Sequence, residues 1–162
     1  VKNPYAMIVN PTETKLYVTS RTENNLMIYD LLESKYDGVV ELGNKPLDLL
    51  VSEDGQVIYV LEAGEDKISY IDANTHELLG SIDLMSGGFP SSMVLLPNKK
   101  MVLVTNAESD KITLVDLENK KVVTTIPIGI TSKTLVIGPT LTEQLKQAQI
   151  QQNQKPLPKV EE

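Results

Sequence analysis

The 162-residue sequence predicts an all-β fold built from four-stranded repeat units, and three observations predict it. Landmark residues recur in step: Pro4, Pro46 and Pro90, then Tyr17, Tyr59 and Leu103, then Asp30, Asp72 and Asp116, each set advancing by 42 and then 44 positions. Within each period, four short apolar runs are separated by turn-forming residues. The runs also change character along each unit, from continuously apolar to mixed, as strands do when they pass from a covered interior to an exposed edge. Gly43, Gly87 and Gly129 advance by 44 and then 42, which places a two-residue insertion between Asp72 and Gly87.

The first run of each unit is Ala6-Met7-Ile8-Val9, Leu49-Leu50-Val51 or Met93-Val94-Leu95-Leu96, ending at Asn10-Pro11, Asp54-Gly55 or Pro97-Asn98. These read as short strands covered on both faces. The second runs, Leu16 to Thr19, Val57 to Val60 and Met101 to Thr105, are rich in the β-branched and aromatic residues that suit a pleated surface. The third runs end in Asp30, Asp72 and Asp116. That recurrence points to a turn needed in every unit rather than a catalytic group needed once, so these aspartates are assigned to hairpin capping. The fourth runs mix in Glu41, Ser81 and Thr124, and Pro127 closes the last of them, as an outer edge strand tolerates.

Four strands per period of this length match the blades of a β-propeller rather than helical or strand-plus-helix repeats. The expected architecture is three four-stranded antiparallel blades at about residues 4–43, 45–87 and 89–129, with the first strand of a fourth at 133–138. Residues 1–139 thus form a partial propeller. Residues 140–162 form a Gln-rich tail or linker, a short helix or extended segment that contains Lys155-Pro156-Leu157-Pro158. Closed propellers take about four to eight blades. The chain is therefore expected to belong to a longer propeller or to close its ring with a second copy. Its first residues, Val1-Lys2-Asn3-Pro4, read as those of a processed, trimmed or partial product.

Composition narrows the chemistry. With no cysteine and one histidine, thiol catalysis, cysteine-based zinc sites and Cys/His pairs fall away, and no cofactor and no metal are expected. A net charge of -7 repels nucleic acid phosphates, and no apolar run approaches the roughly 18 residues of a membrane helix.

The second strands carry a resemblance. Tyr17-Val18-Thr19-Ser20, Tyr59-Val60-Leu61-Glu62 and Leu103-Val104-Thr105-Asn106 occupy the place of the Tyr-Val-Thr-Asn signature that names the YVTN β-propeller repeat family, and the likeness covers residues 4 to 139. The unit from Lys45 to Asp83 matches the wider pattern most fully. The first and third replace its Asp54-Gly55 turn with Glu13-Thr14 and Asn98-Lys99. The resemblance implies a ring of about seven blades in a bacterial or archaeal surface or periplasmic protein, hence an extracytoplasmic location and use as a binding scaffold. Related rings are lactonases and amine dehydrogenase subunits. The alternative it implies is a piece of a lactonase or quinoprotein dehydrogenase whose active site is completed outside this chain.

Binding residues on a rigid scaffold concentrate in its loops. The loops between second and third strands, together with the connectors between units, share one face, and the candidates there are Arg21, Asn24, Asn25, Glu62, Glu65, Asp66, Asn106, Glu108 and Asp110. Phe89, the single phenylalanine, lies in a Gly-Gly-Phe-Pro connector and is a candidate partner anchor. The carboxylates make this rim acidic, which favours a basic partner. His76 falls at a polar hairpin tip on the opposite face and is read as a solvated surface histidine, and with this single His so placed no Ser-His-Asp arrangement is credible within the chain. The expected function is a non-enzymatic binding or assembly module that engages a protein or cell-surface partner, the remainder of its own propeller, or a second copy.

Overall fold

The computed structural model of the chain describes residues 2–97 and 100–129. The expected fourth-unit strand at 133–138, the tail from 140, the Asn98-Lys99 turn and the Ile130-Thr131 loop lie outside the described residues. Twelve strands appear among those described: β1 (Pro4–Val9), β2 (Lys15–Ser20), β3 (Asn25–Asp30), β4 (Lys35–Glu41), β5 (Pro46–Val51), β6 (Val57–Glu62), β7 (Lys67–Asp72), β8 (Leu78–Asp83), β9 (Pro90–Leu95), β10 (Met101–Asn106), β11 (Lys111–Asp116) and β12 (Lys121–Pro127). They form three antiparallel meanders, β1-β2-β3-β4, β5-β6-β7-β8 and β9-β10-β11-β12. The fold is all-β and has the form of a partial β-propeller. No helix among the described residues is long and apolar enough to cross a membrane.

The first strands β1, β5 and β9 lie beside one another, which places them at the shared axis, whereas β4, β8 and β12 form the outer edges. Two apolar seams join the blades. In the first, Tyr17, Leu26, Ile28 and Val40 of blade one meet Leu49, Ile58, Val60 and Ile71 of blade two. The second brings Tyr59, Leu61, Ile68 and Ile82 of blade two against Met93, Val102, Val104 and Val115 of blade three. Blade two gives one face to blade one and the other to blade three. Blade one differs in β1, where Tyr5, Met7 and Val9 alternate outward and are exposed instead of covered on both sides.

The backbone repeats as faithfully as the side chains. Non-glycine residues in the left-handed region recur at matched positions: Asn3, Lys45 and Phe89 just before each first strand, Asn24 and Asp66 before β3 and β7, and Ser34, His76 and Lys120 before the fourth strands. An L-residue held there is costly, so the turn geometry is imposed by the blade rather than chosen by local sequence. The recurring aspartates fix one of these turns. Asp30 accepts the Glu33 N–H at 2.8 Å, Asp72 accepts those of Asn74 and Thr75 at 2.8 and 2.9 Å, and Asp116 accepts those of Glu118 and Asn119, both at 2.9 Å.

Candidate functional site

The axis strands open on the loop face into a cleft of about 610 Å³. Its wall takes one segment from each blade: Tyr5 from β1, Leu47 and Asp48 from β5, and Ser91 and Ser92 from β9. Arg21 and Glu108 reach it from the β2–β3 and β10–β11 loops, and Phe89 closes it from the β8–β9 connector. An open concavity on a rigid β scaffold, lined about equally by polar and apolar groups, is suited to holding a ligand by a few placed contacts.

Cations sit on its aromatic groups. The Arg21 guanidinium lies 5.7 Å from the Tyr5 ring centroid, and the Lys45 ammonium lies 5.2 Å from that of Phe89. Both distances are within cation–π range, which holds the rings with one face engaged. Asp48 is fixed from the other side. Its Oδ2 accepts the Met93 N–H at 2.7 Å and the Ser92 hydroxyl at 3.1 Å, and its Oδ1 accepts the Leu49 N–H at 2.9 Å. Asp48 therefore staples axis strand β5 to axis strand β9, and its charge is spent on hydrogen bonds within the scaffold.

Of the residues that the sequence singles out, Arg21, Phe89 and Glu108 converge on the cleft. The remaining candidates hold the loop face together. Asn24 accepts the Lys45 N–H at 3.1 Å, Glu65 accepts the Asn44 N–H at 3.3 Å, and Asp66 accepts the Gly87 N–H at 3.0 Å, so each ties a hairpin to the connector beside it. The Asn44 N–H and then Lys67 hold the Glu65 carboxyl below the ordinary glutamate range. Asn25 opens β3 with its Oδ1 buried, and Asp110 contributes its carbonyl to the Ile128 N–H at 2.7 Å.

Glu62 and Asn106, expected on the rim, are buried instead. They stand with Ser20 at the last residue of the second strands, where the inter-blade connector folds over them. Glu62 Oε2 accepts the Gly43 N–H at 2.9 Å and pairs with Lys67 at 3.3 Å. Burial would lower the Lys67 ammonium, but Glu62 and Glu65 outweigh it and the value is raised. Gly43 lets the connector lie close over this carboxylate, because a Cβ there would press on Glu62 and force it to shift. Asn106 donates to the Lys111 carbonyl at 3.0 Å and the Thr113 hydroxyl at 3.2 Å.

His76 is corrected too. It is half-buried against Gly38 of the preceding blade, with its Nε2 3.6 Å from Asp37, so it belongs to the blade-one seam on the opposite face. Sequence reasoning missed Tyr5, Asp48, Ser91 and Ser92. The signal was present in Asp48, a lone carboxylate in the otherwise apolar Pro46 to Val51 strand, and in the adjacent Ser91 and Ser92, the first of which stands where the other units carry Tyr5 and Leu47. Among the described residues, no three His, Asp or Glu side chains gather as a metal site.

The sequence matches no protein-family model and no curated protein. The structure is similar to Kuenenia stuttgartiensis hydrazine synthase, with a TM-score of 0.74 at 20% identity over 80% of this chain and 37% of that one. It is also similar to U3-55K, with a TM-score of 0.66 at 11% identity over 76% of this chain and 39% of that one. Both are propeller-type proteins, and the chain spans well under half the length of each.

Proposed function

We propose that the chain is a non-enzymatic binding module of the YVTN class of propellers, working outside the cytoplasm and engaging a protein or cell-surface partner through its loop face. The observation that carries this reading is the cleft at the axis, where Arg21, Phe89 and Glu108 from three different loops converge beside the axis strands. Its groups suit recognition better than bond-breaking. The one carboxylate on its axis strands, Asp48, is bound to β9 through amides and a hydroxyl, and the single histidine lies on the opposite face. An aromatic ring flanked by a cation and a free-standing carboxylate can anchor a side chain of an extended peptide or loop.

The test is selection of a displayed random-peptide library on the chain, followed by affinity measurement of the selected peptides. Arg21→Ala, Phe89→Ala and Glu108→Ala are each expected to weaken binding by about tenfold, the usual scale for an anchor residue. Peptides that bind all three variants as tightly as the parent chain would contradict the reading. So would robust turnover of lactone or amine substrates by the chain alone.

A further inference from the structure

We infer that the seam between blades one and two holds a binding site for a primary alkylammonium group, in a cavity of about 210 Å³ on the face opposite the axis cleft. This goes beyond the loop-face reading and does not depend on it. The walls come from two neighbouring blades: Thr14, Lys15 and Tyr17 on blade one, and Asp54, Gln56 and Asn74 on blade two.

One buried group in this cavity lacks a partner. Tyr17 lines it and is 1% exposed, and among the described residues its hydroxyl makes no hydrogen bond. Burial pushes that hydroxyl up from its ordinary value, so it stays a neutral O–H with lone pairs able to accept. The next seam shows what satisfies such a tyrosine. Tyr59, one repeat later, accepts a hydrogen bond from the Lys120 ammonium at 3.1 Å, and that ammonium lies 4.9 Å from the Tyr59 ring centroid and 4.7 Å from that of Tyr70. Lys120 stands in the turn before the fourth strand of blade three and reaches back to blade two. His76 holds the same position in blade two, with the same left-handed backbone. Its ring lies instead against Gly38, with Nε2 3.6 Å from Asp37. Tyr17 thus has the place of Tyr59 without the ammonium.

The surrounding charge also favours a cation. Lys15 is the cavity's own ammonium, and it is committed to Asp30 and Asp37, both at 2.7 Å. Asp54 in the wall adds a third carboxylate. Three carboxylates around one ammonium leave the site short of positive charge. Ile28 stands where Tyr70 stands, so a bound cation meets one ring here rather than two, and the carboxylates supply the remaining attraction. A primary ammonium matches these groups because it carries a charge, N–H donors for the Tyr17 oxygen, and an apolar stem.

The experiment is amide chemical-shift mapping of the full chain during titration with n-butylammonium at constant ionic strength. Tetramethylammonium, which has the charge but no N–H, and n-butanol, which has the stem but no charge, serve as comparisons. Saturable shifts are expected at Thr14, Lys15, Gln56 and Asn74 with butylammonium and with neither of the others. A parallel titration with Nα-acetyl-lysine amide distinguishes the source: binding at least as tight as that of butylammonium assigns a lysine side chain, and weaker binding assigns a small free amine. Tyr17→Phe keeps the ring and is expected to weaken binding about tenfold, the scale of one hydrogen bond to a charged group. Tyr59→Phe, in the seam that Lys120 already fills, should leave binding unchanged. His76→Lys supplies the ammonium from the chain itself and is expected to abolish binding of the added amine. No saturable response to butylammonium would overturn the inference, as would an equal response to butanol or tetramethylammonium, or unchanged affinity in both Tyr17→Phe and His76→Lys.

Discussion

The blade seams and the loop-face cleft are built from the same three repeats but use them in opposite ways. In the seams, equivalent positions carry equivalent chemistry: Ile58 and Val102, Val60 and Val104, Leu26 and Ile68. In the cleft they diverge. Arg21 is matched by Ala63 and Ala107, Tyr5 by Leu47 and Ser91, and Asp48 by Ala6 and Ser92. Recurring residues do what every blade needs, namely cover a neighbour and cap a turn. Residues that break the repeat are free to make one blade different from the next, and they meet where the three axis strands converge. Their position, rather than the fold, is what singles out a site.

The sharpest way to test this division is to damage a seam. Leu61 is fully buried between blades two and three, and Leu61→Ala is expected to lower unfolding free energy by about 3 kcal/mol, the usual cost of a buried cavity of that size. Denaturant titration would show it. If the loss is no larger than that of a cleft substitution, the contrast fails.

Next in size is the junction beneath the rim. Gly43→Ala presses a methyl group onto the buried Glu62 carboxylate and is expected to cost about 2 kcal/mol. Combined with Glu62→Ala, which removes the obstacle, the double variant should be less destabilised than the two single effects added together. Strict additivity would mean that the two residues do not meet.

A smaller effect comes from the aspartate caps on the opposite face. The turn N–H of Glu33 and then Lys15 hold the Asp30 carboxyl below the ordinary value of 3.8, the N–H groups of Thr75 and Asn74 do the same for Asp72, and the Asn119 side chain and backbone amide do so for Asp116. A carboxyl depressed in the folded state stabilises fully above its unfolded value and loses that contribution as pH falls through its folded value. Thermal stability should therefore decline as pH falls below about 4. A variant with all three changed to Asn should decline less steeply over the same range, and equal slopes would show that the caps do not couple to folding.

Least affected should be the cleft itself. Arg21→Ala and Glu108→Ala remove exposed groups and are expected to change unfolding free energy by no more than about 0.5 kcal/mol, as surface substitutions usually do. Larger losses would make these residues part of the scaffold.

The fold was legible because a propeller blade writes the same instructions several times, and Pro46, Tyr59 and Asp72 each confirm what Pro4, Tyr17 and Asp30 imply. The aspartate caps were legible for the same reason. Glu62 and Asn106 were not, because the connector folds over the end of the second strand and buries whatever stands there, and nothing in the local sequence announces that cover. His76 looked solvated because Gly38, which receives it, lies in another blade. The cleft was half legible. Loop residues such as Arg21 and Phe89 stand out as candidates, but Ser91 and Ser92 lie inside a strand and join the cleft only once the axis strands are set side by side.

One measurement addresses the central claim most directly: amide chemical-shift mapping by NMR of the chain during titration with a library-selected peptide. The division between repeating seams and non-repeating cleft predicts that the largest shifts fall on Tyr5, Arg21, Phe89, Ser92 and Glu108, with the strands of both seams nearly unmoved. Shifts centred on the turns capped by Asp30, Asp72 and Asp116, on the opposite face, would contradict it.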